Sequence, residues 1–127
     1  MDDRQEIAEK FKKLKNLSER YQPEAYFFVL EALDFTVNRL PKRRHVSGQE
    51  LSEGIRDFGL KKFGPLARNV FEHWGLQESL DFGRLVFDLI DVGLLRKQEE
   101  DSLEDFANRF DFKTAFDRTY DFSDGDA

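Results

Sequence analysis

The chain has no cysteine, only two histidines and three prolines, and no run of apolar residues long enough to span a bilayer. Without cysteine there are no disulfides and no thiol chemistry, so packing alone must hold the fold, and a reducing compartment is permitted. The histidines, His45 and His73, have no second His or Cys at metal-ligand spacing, so no metal or other cofactor is expected. A membrane helix needs about 18 or more consecutive apolar residues, so none is expected. The opening MDDRQEIAEKFKKLK carries charges every few residues where a secretory signal would be apolar, and the expected location is cytoplasmic. No glycine-rich phosphate loop and no nucleophile with a base at hand is recognisable, so the chain is not expected to be an enzyme.

What is there is a single-domain length of 127 residues, 39% hydrophobic and 36% charged, which suits a globular and well-solvated chain. One helical domain is expected over residues 1–122, with 123–127 frayed. The net charge of −6 is unevenly spread: residues 1–73 hold 14 Lys and Arg against 12 Asp and Glu, and residues 74–127 hold 6 against 14. An acidic second half repels phosphates and attracts basic protein segments, so any polyanion contact falls to the first half.

The apolar spacing predicts a mainly α domain of about five helices. Ile7, Phe11 and Leu14 mark the first. Pro23 is placed to open a second that runs to about Arg39 and is apolar nearly all round, as a central helix would be. Ser47 and Glu50 form a capping-box pattern for a third, with Leu51, Ile55 and Phe58 on its apolar face, Gly64 ending it and Pro65 opening the next. Val70, Phe71 and Trp74 follow, closed by Gly75. Ser79 is a candidate cap for a helix that buries Phe82, Leu85, Val86 and Leu89 and stops at Gly93. Residues 94–112 read as a candidate β-hairpin, which would complete a winged-helix-like arrangement with residues 79–92 as its recognition helix. That helix carries Asp81, Asp88 and Asp91 against Arg84, the wrong charge for phosphate, so specific duplex DNA binding is not expected.

Three clusters compete as functional sites. Lys42, Arg43, Arg44 and His45 in a loop, joined by Lys61 and Lys62, could attract a polyanion, against the plainer reading of a solvated loop. Glu50, Glu53 and Asp57 share a helical face and could act with His45, although Arg56 is placed to pair with such carboxylates. Fourteen Phe, three Tyr and one Trp exceed what a core of this size readily hides. Phe110, Phe112, Phe116, Tyr120 and Phe122 are therefore expected to form an interface for a protein partner or a homodimer. Asp81-Phe82-Gly83 spells a kinase magnesium motif with nothing else of a kinase around it.

Taken in order, His45-Val46-Ser47-Gly48-Gln49-Glu50-Leu51, Gly54-Ile55-Arg56, Phe63-Gly64, Trp74-Gly75, Asp81-Phe82-Gly83 and Asp91-Val92-Gly93-Leu94-Leu95 resemble a small family from planctomycete and verrucomicrobial bacteria, over about residues 20–122. The resemblance implies a self-contained bacterial domain and no activity. The leading expectation is a non-catalytic protein-interaction domain acting through its acidic, aromatic C-terminal half. The rival is a nucleic-acid-associated protein using loop 42–45.

Overall fold

A computed structural model describes residues 5, 6, 8–10, 12, 13, 20–96 and 102–118. The described residues are mainly helical: α1 (Pro23–Asn38), α2 (Gly48–Phe63), a 3-10 turn (Gly64–Leu66), α3 (Ala67–His73), α4 (Ser79–Asp91), a second 3-10 turn (Leu103–Phe106) and a terminal π-helical segment (Lys113–Arg118). The described residues between Gln5 and Lys13 are also helical. Ile7, Phe11, Leu14, Tyr120, Phe122 and the tail 123–127 lie outside the described residues. No described helix is long and apolar enough to cross a membrane.

The helix ends lie where local chemistry places them. Pro23 occupies the first turn of α1 after an extended Gln22, so its missing N–H would have had no helical partner anyway. Ser47 Oγ accepts from Glu50 N at 3.0 Å while Glu50 Oε1 accepts from Ser47 N at 2.9 Å, closing the capping box of α2. α3 and α4 end alike. Gly75 (φ 97°) and Gly93 (φ 84°) adopt positive φ, and the next amides, Leu76 N and Leu94 N, donate back to Phe71 O at 2.9 Å and Leu89 O at 2.8 Å. This is the six-to-one bond of a Schellman ending, which leaves the last carbonyls satisfied.

α1 packs against both α2 and α4 and is buried through Ala25, Tyr26, Phe28, Val29, Ala32 and Thr36. It crosses α2 where Gly54 meets Thr36, so closely that a Cβ on Gly54 would stand 2.9 Å from Thr36 Cβ and collide with Thr36 Oγ1. The core centres on Phe71, fully buried, whose ring lies 5.1 Å from those of Phe28, Phe82 and Phe116. Edge-on and tilted pairs dominate this cluster, the geometry that the ring quadrupoles favour.

No strand occurs among the described residues, so the hairpin expected over residues 94–112 finds no support there. Leu94 and Leu95 both donate to Leu89 O, which turns the chain at the end of α4 and leaves neither amide for a ladder. Farther on, Ser102 and Asp105 cap a 3-10 turn: Ser102 Oγ accepts from Glu104 N and Asp105 Oδ2 from Ser102 N. Phe106 is then fixed through its carbonyl, which accepts from Ser79 Oγ. The winged-helix arrangement loses its wing among the described residues. The expected recognition helix is α4, which buries Asp81, Phe82, Gly83, Leu85, Val86 and Leu89 in the interior.

Candidate functional site: an apolar groove

The expected cation cluster divides into two. α2 rises about 1.5 Å per residue, which puts Lys61 and Lys62 about 20 Å along the helix from the loop that precedes its N-terminus. Lys62 Nζ pairs with Glu31 at 2.7 Å and lies over the Phe58 ring, while Lys61 lies over Phe35. In the loop, Arg44 binds Glu50 with two parallel bonds of 2.9 and 2.8 Å and donates to the His45 carbonyl at 3.0 Å. Arg43 reaches Asn38 Oδ1 at 3.3 Å, and Lys42 is exposed. Arg44, then the Ser47 amide, hold the Glu50 carboxyl down at about 2.

The carboxylates of α2 are likewise engaged. Glu50 caps its helix and binds Arg44, and Asp57 accepts from Arg39 at 2.9 Å and from Arg56 at 3.1 Å. Glu53 is exposed. No group of three or more His, Asp or Glu able to hold a metal ion occurs among the described residues.

Three of the five rings expected to form an aromatic interface at the C-terminal end lie among the described residues. Phe116 is fully buried and Phe112 is buried against Phe82 and Phe116; Phe110 is half-buried on the same core. The surplus of rings is absorbed because Phe112 and Phe116 fold back over Phe71. Among the described residues, the large apolar side chains that do face solvent are elsewhere: Phe27, Leu66 and Leu103.

α4 carries a buried polar network that no sequence pattern announced. Asp81, 4% exposed, accepts from the Tyr21 hydroxyl at 2.7 Å, Arg84 at 2.9 Å, Gln77 N at 2.8 Å and Glu78 N at 3.2 Å. Burial pushes its carboxyl up, but these four donors outweigh burial and hold it below the ordinary aspartate value. Burial first, then the bond to Asp81, pushes the Tyr21 hydroxyl up to about 12. Two turns farther on, Tyr26 donates to Asp88 Oδ2 at 2.7 Å, and burial raises the Asp88 carboxyl. The triplet resembling a kinase motif is thus a helix-start lock, and Asp81 and Asp88 face Tyr21 and Tyr26, not a solvent-side groove.

The remaining concavity of chemical interest is a groove of about 240 Å³. Its walls are Leu33 and Val37 of α1, Leu51 of α2, Val86 and Ile90 of α4, and Phe106 of the second 3-10 turn. Arg44, His45, Arg96 and Asp105 also line it. The element ends described above build it: the capping box sets the start of α2, and the Schellman turn at Gly93 brings Leu95 and Arg96 back to the wall. Two further hollows offer less. One at Gln77–Ser79 and Asn108–Phe112 contains a Ser79 hydroxyl already bonded to Phe106 O and Arg109 N. The other contains Asp57, paired with two arginines, and Asp111, which caps Thr114. Of the described residues expected to form a site, the structure brings only Arg44 and His45 to the groove. No known protein family, curated protein or solved structure matches the chain.

Proposed function

We propose that this domain is a non-catalytic protein-interaction module and that its docking surface is the apolar groove between α1, α2 and α4, not the C-terminal aromatic cluster. The groove itself carries the reading: six apolar walls drawn from four elements, open to solvent, with Arg44, His45, Arg96 and Asp105 also in its lining. Such a surface binds by excluding water from apolar side chains, while the charged rim sets orientation. The titratable groups that a catalytic reading would need support it as well. Glu50, Asp57 and Asp81 are each bonded to two or more donors that fix the fold. Membership of the bacterial family that the sequence blocks resemble belongs to this proposal and adds no activity to it.

The nucleic-acid reading draws its support from loop 42–45, and there Arg44 is neutralised by Glu50 while Lys61 and Lys62 lie at the far end of α2. The cations left in the loop could make at most about two or three phosphate contacts, well below the roughly six to ten of a firm electrostatic anchor.

The test is photo-crosslinking in the native cells from a photoreactive residue placed at Val37, in the groove, and separately at Leu66, exposed and outside it. Protein adducts formed from Val37 and absent from Leu66 are expected. No adduct from Val37, or the same adducts from both positions, overturns the groove as the docking surface.

A further inference from the structure

We infer that residues 102–107 form a latch that opens as a unit while the rest of the domain stays folded, withdrawing Phe106 from a slot between α2 and α4; the bearing of this latch on the groove rests on the groove being the docking surface.

Burial argues first. Between Ser102 and Arg109, Phe106 is the one buried side chain, at 2% exposure, while Ser102, Leu103, Glu104, Asn108 and Arg109 are exposed. Its ring enters where both neighbouring helices carry glycine. A Cβ on Gly83 would stand 2.8 Å from Phe106 Cβ, Cγ and Cδ2, and one on Gly48 would stand 3.2 Å from Phe106 Cε2 and 2.7 Å from Asp105 Cβ. Among the described residues, Phe106 takes no part in the ring pairs that join Phe71, Phe82, Phe110, Phe112 and Phe116. It can leave its slot without parting that cluster.

Hydrogen bonding argues second. Asp105 N donates to Ser102 O and Ala107 N to Glu104 O, each at 3.0 Å, and Ser102 and Asp105 cap the turn from within. These bonds are internal to the segment and travel with it. Among the described hydrogen bonds, the one that ties the turn to a helix runs from Ser79 Oγ to the Phe106 carbonyl. Asn108 then takes the left-handed region at φ 51°, and Arg109 N donates to Ser79 Oγ at 3.0 Å, so the chain turns there before Phe110 and Phe112 rejoin the core.

Magnitudes separate the latch from the domain. One buried phenylalanine and one hydrogen bond favour the closed state by about 30- to 2,000-fold, whereas a whole domain is favoured over its unfolded chain by roughly 5,000-fold or more. The latch therefore opens more often than the domain unfolds. Phe106 and Gly48 both line the groove, so each opening extends the groove into the slot between Gly48 and Gly83.

Because the chain has no cysteine, a single introduced thiol reports its own exposure. Ser79→Cys, at the latch, and Ala32→Cys, in α1, both replace buried residues, and each is reacted with dithiobis-nitrobenzoate in buffer and in urea below the melt. Ser79→Cys is expected to react at least about tenfold faster than Ala32→Cys and with little dependence on urea, since a local opening exposes little surface; adding Phe106→Ala is expected to raise that rate about tenfold further. Equal rates with equal urea slopes, or a rate at Ser79→Cys indifferent to Phe106→Ala, overturn the latch. A glutamate-specific protease reads the unaltered chain: cleavage after Glu104 is expected well below the urea melt, and protection of Glu104 up to the melt overturns the latch as well. Ser79→Ala removes the tie and is expected to raise the yield of adducts from the photoreactive residue at Val37 at least about twofold. An unchanged yield overturns the hold of the latch on the groove, and no adducts from Val37 in either chain overturns the docking reading while the labelling result stands on its own.

Discussion

Asp81 is where the energetics are most concentrated in one side chain. Four donors converge on it in a nearly dry site, so removing one partner leaves the others facing an unbalanced group. A hydrogen bond to a charged group contributes about 1.5–3 kcal/mol, and Tyr21→Phe is expected to cost about 2 kcal/mol at neutral pH in urea unfolding. The sign of its pH dependence follows from the lowered carboxyl. A group whose pKa is lower folded than unfolded stabilises the fold above its unfolded value of about 4, and that contribution fades as pH falls through the folded value. The difference between parent and Tyr21→Phe should therefore shrink on acidification below about pH 4, as the folded carboxyl takes up its proton. A difference that stays constant over that range would show that Tyr21 acts by packing alone. Glu50 works in the same direction, with a carboxyl held at about 2 by Arg44 and the Ser47 amide. Ser47→Ala removes the cap on the α2 amides and is expected to lower stability by about 1 kcal/mol, read from the thermal midpoint.

At the scale of elements, the crossing of α1 over α2 depends on the absence of a side chain at Gly54. An added methyl would collide with Thr36 Oγ1, and overpacking of this kind costs about 1–3 kcal/mol, so Gly54→Ala is expected to destabilise by that amount even though alanine is the better helix former. Thr36→Ala in the same chain should return part of the loss, giving a favourable coupling in the double-mutant cycle. Strict additivity would mean that the helices separate instead of colliding. This scale also separates what the sequence makes legible from what it hides. Pro23, the Ser47 and Glu50 pair, Gly64 with Pro65, Gly75 and Gly93 mark the helix ends because capping is local chemistry, decided within four or five residues. The segment after Gly93 misleads, because its phenylalanines and acidic turn resemble strands. Its fate is decided by partners distant in sequence: Ser79 holding the Phe106 carbonyl, and Phe71 receiving Phe112 and Phe116. The groove was hidden for the same reason, since its walls come from residues 33–106 and no short pattern contains them. Arg44 and His45 were visible as a basic loop; Arg96, also in the lining, was an unremarkable charge.

At the scale of the whole molecule, Phe71 is the ring on which the parts meet, touching Phe28 of α1, Phe63 of α2, Phe82 of α4 and the late-arriving Phe112 and Phe116. Phe71→Ala is expected to cost about 3–5 kcal/mol, a large share of the roughly 5–15 kcal/mol that holds a domain together. A urea midpoint close to the parent's would show that the cluster collapses onto the gap. The order in which these rings are made matters as well. A ribosome adding about 5–20 residues per second takes roughly 4–18 s to travel from Phe28 to Phe116. For roughly the last 2–9 s of that interval, from the addition of Phe71 onward, Phe71 lacks the Phe112 and Phe116 rings that later cover it. The nascent chain thus spends seconds with an uncovered aromatic face, and cells that make this domain must shield it during translation or hold its synthesis below the concentration at which such faces find one another.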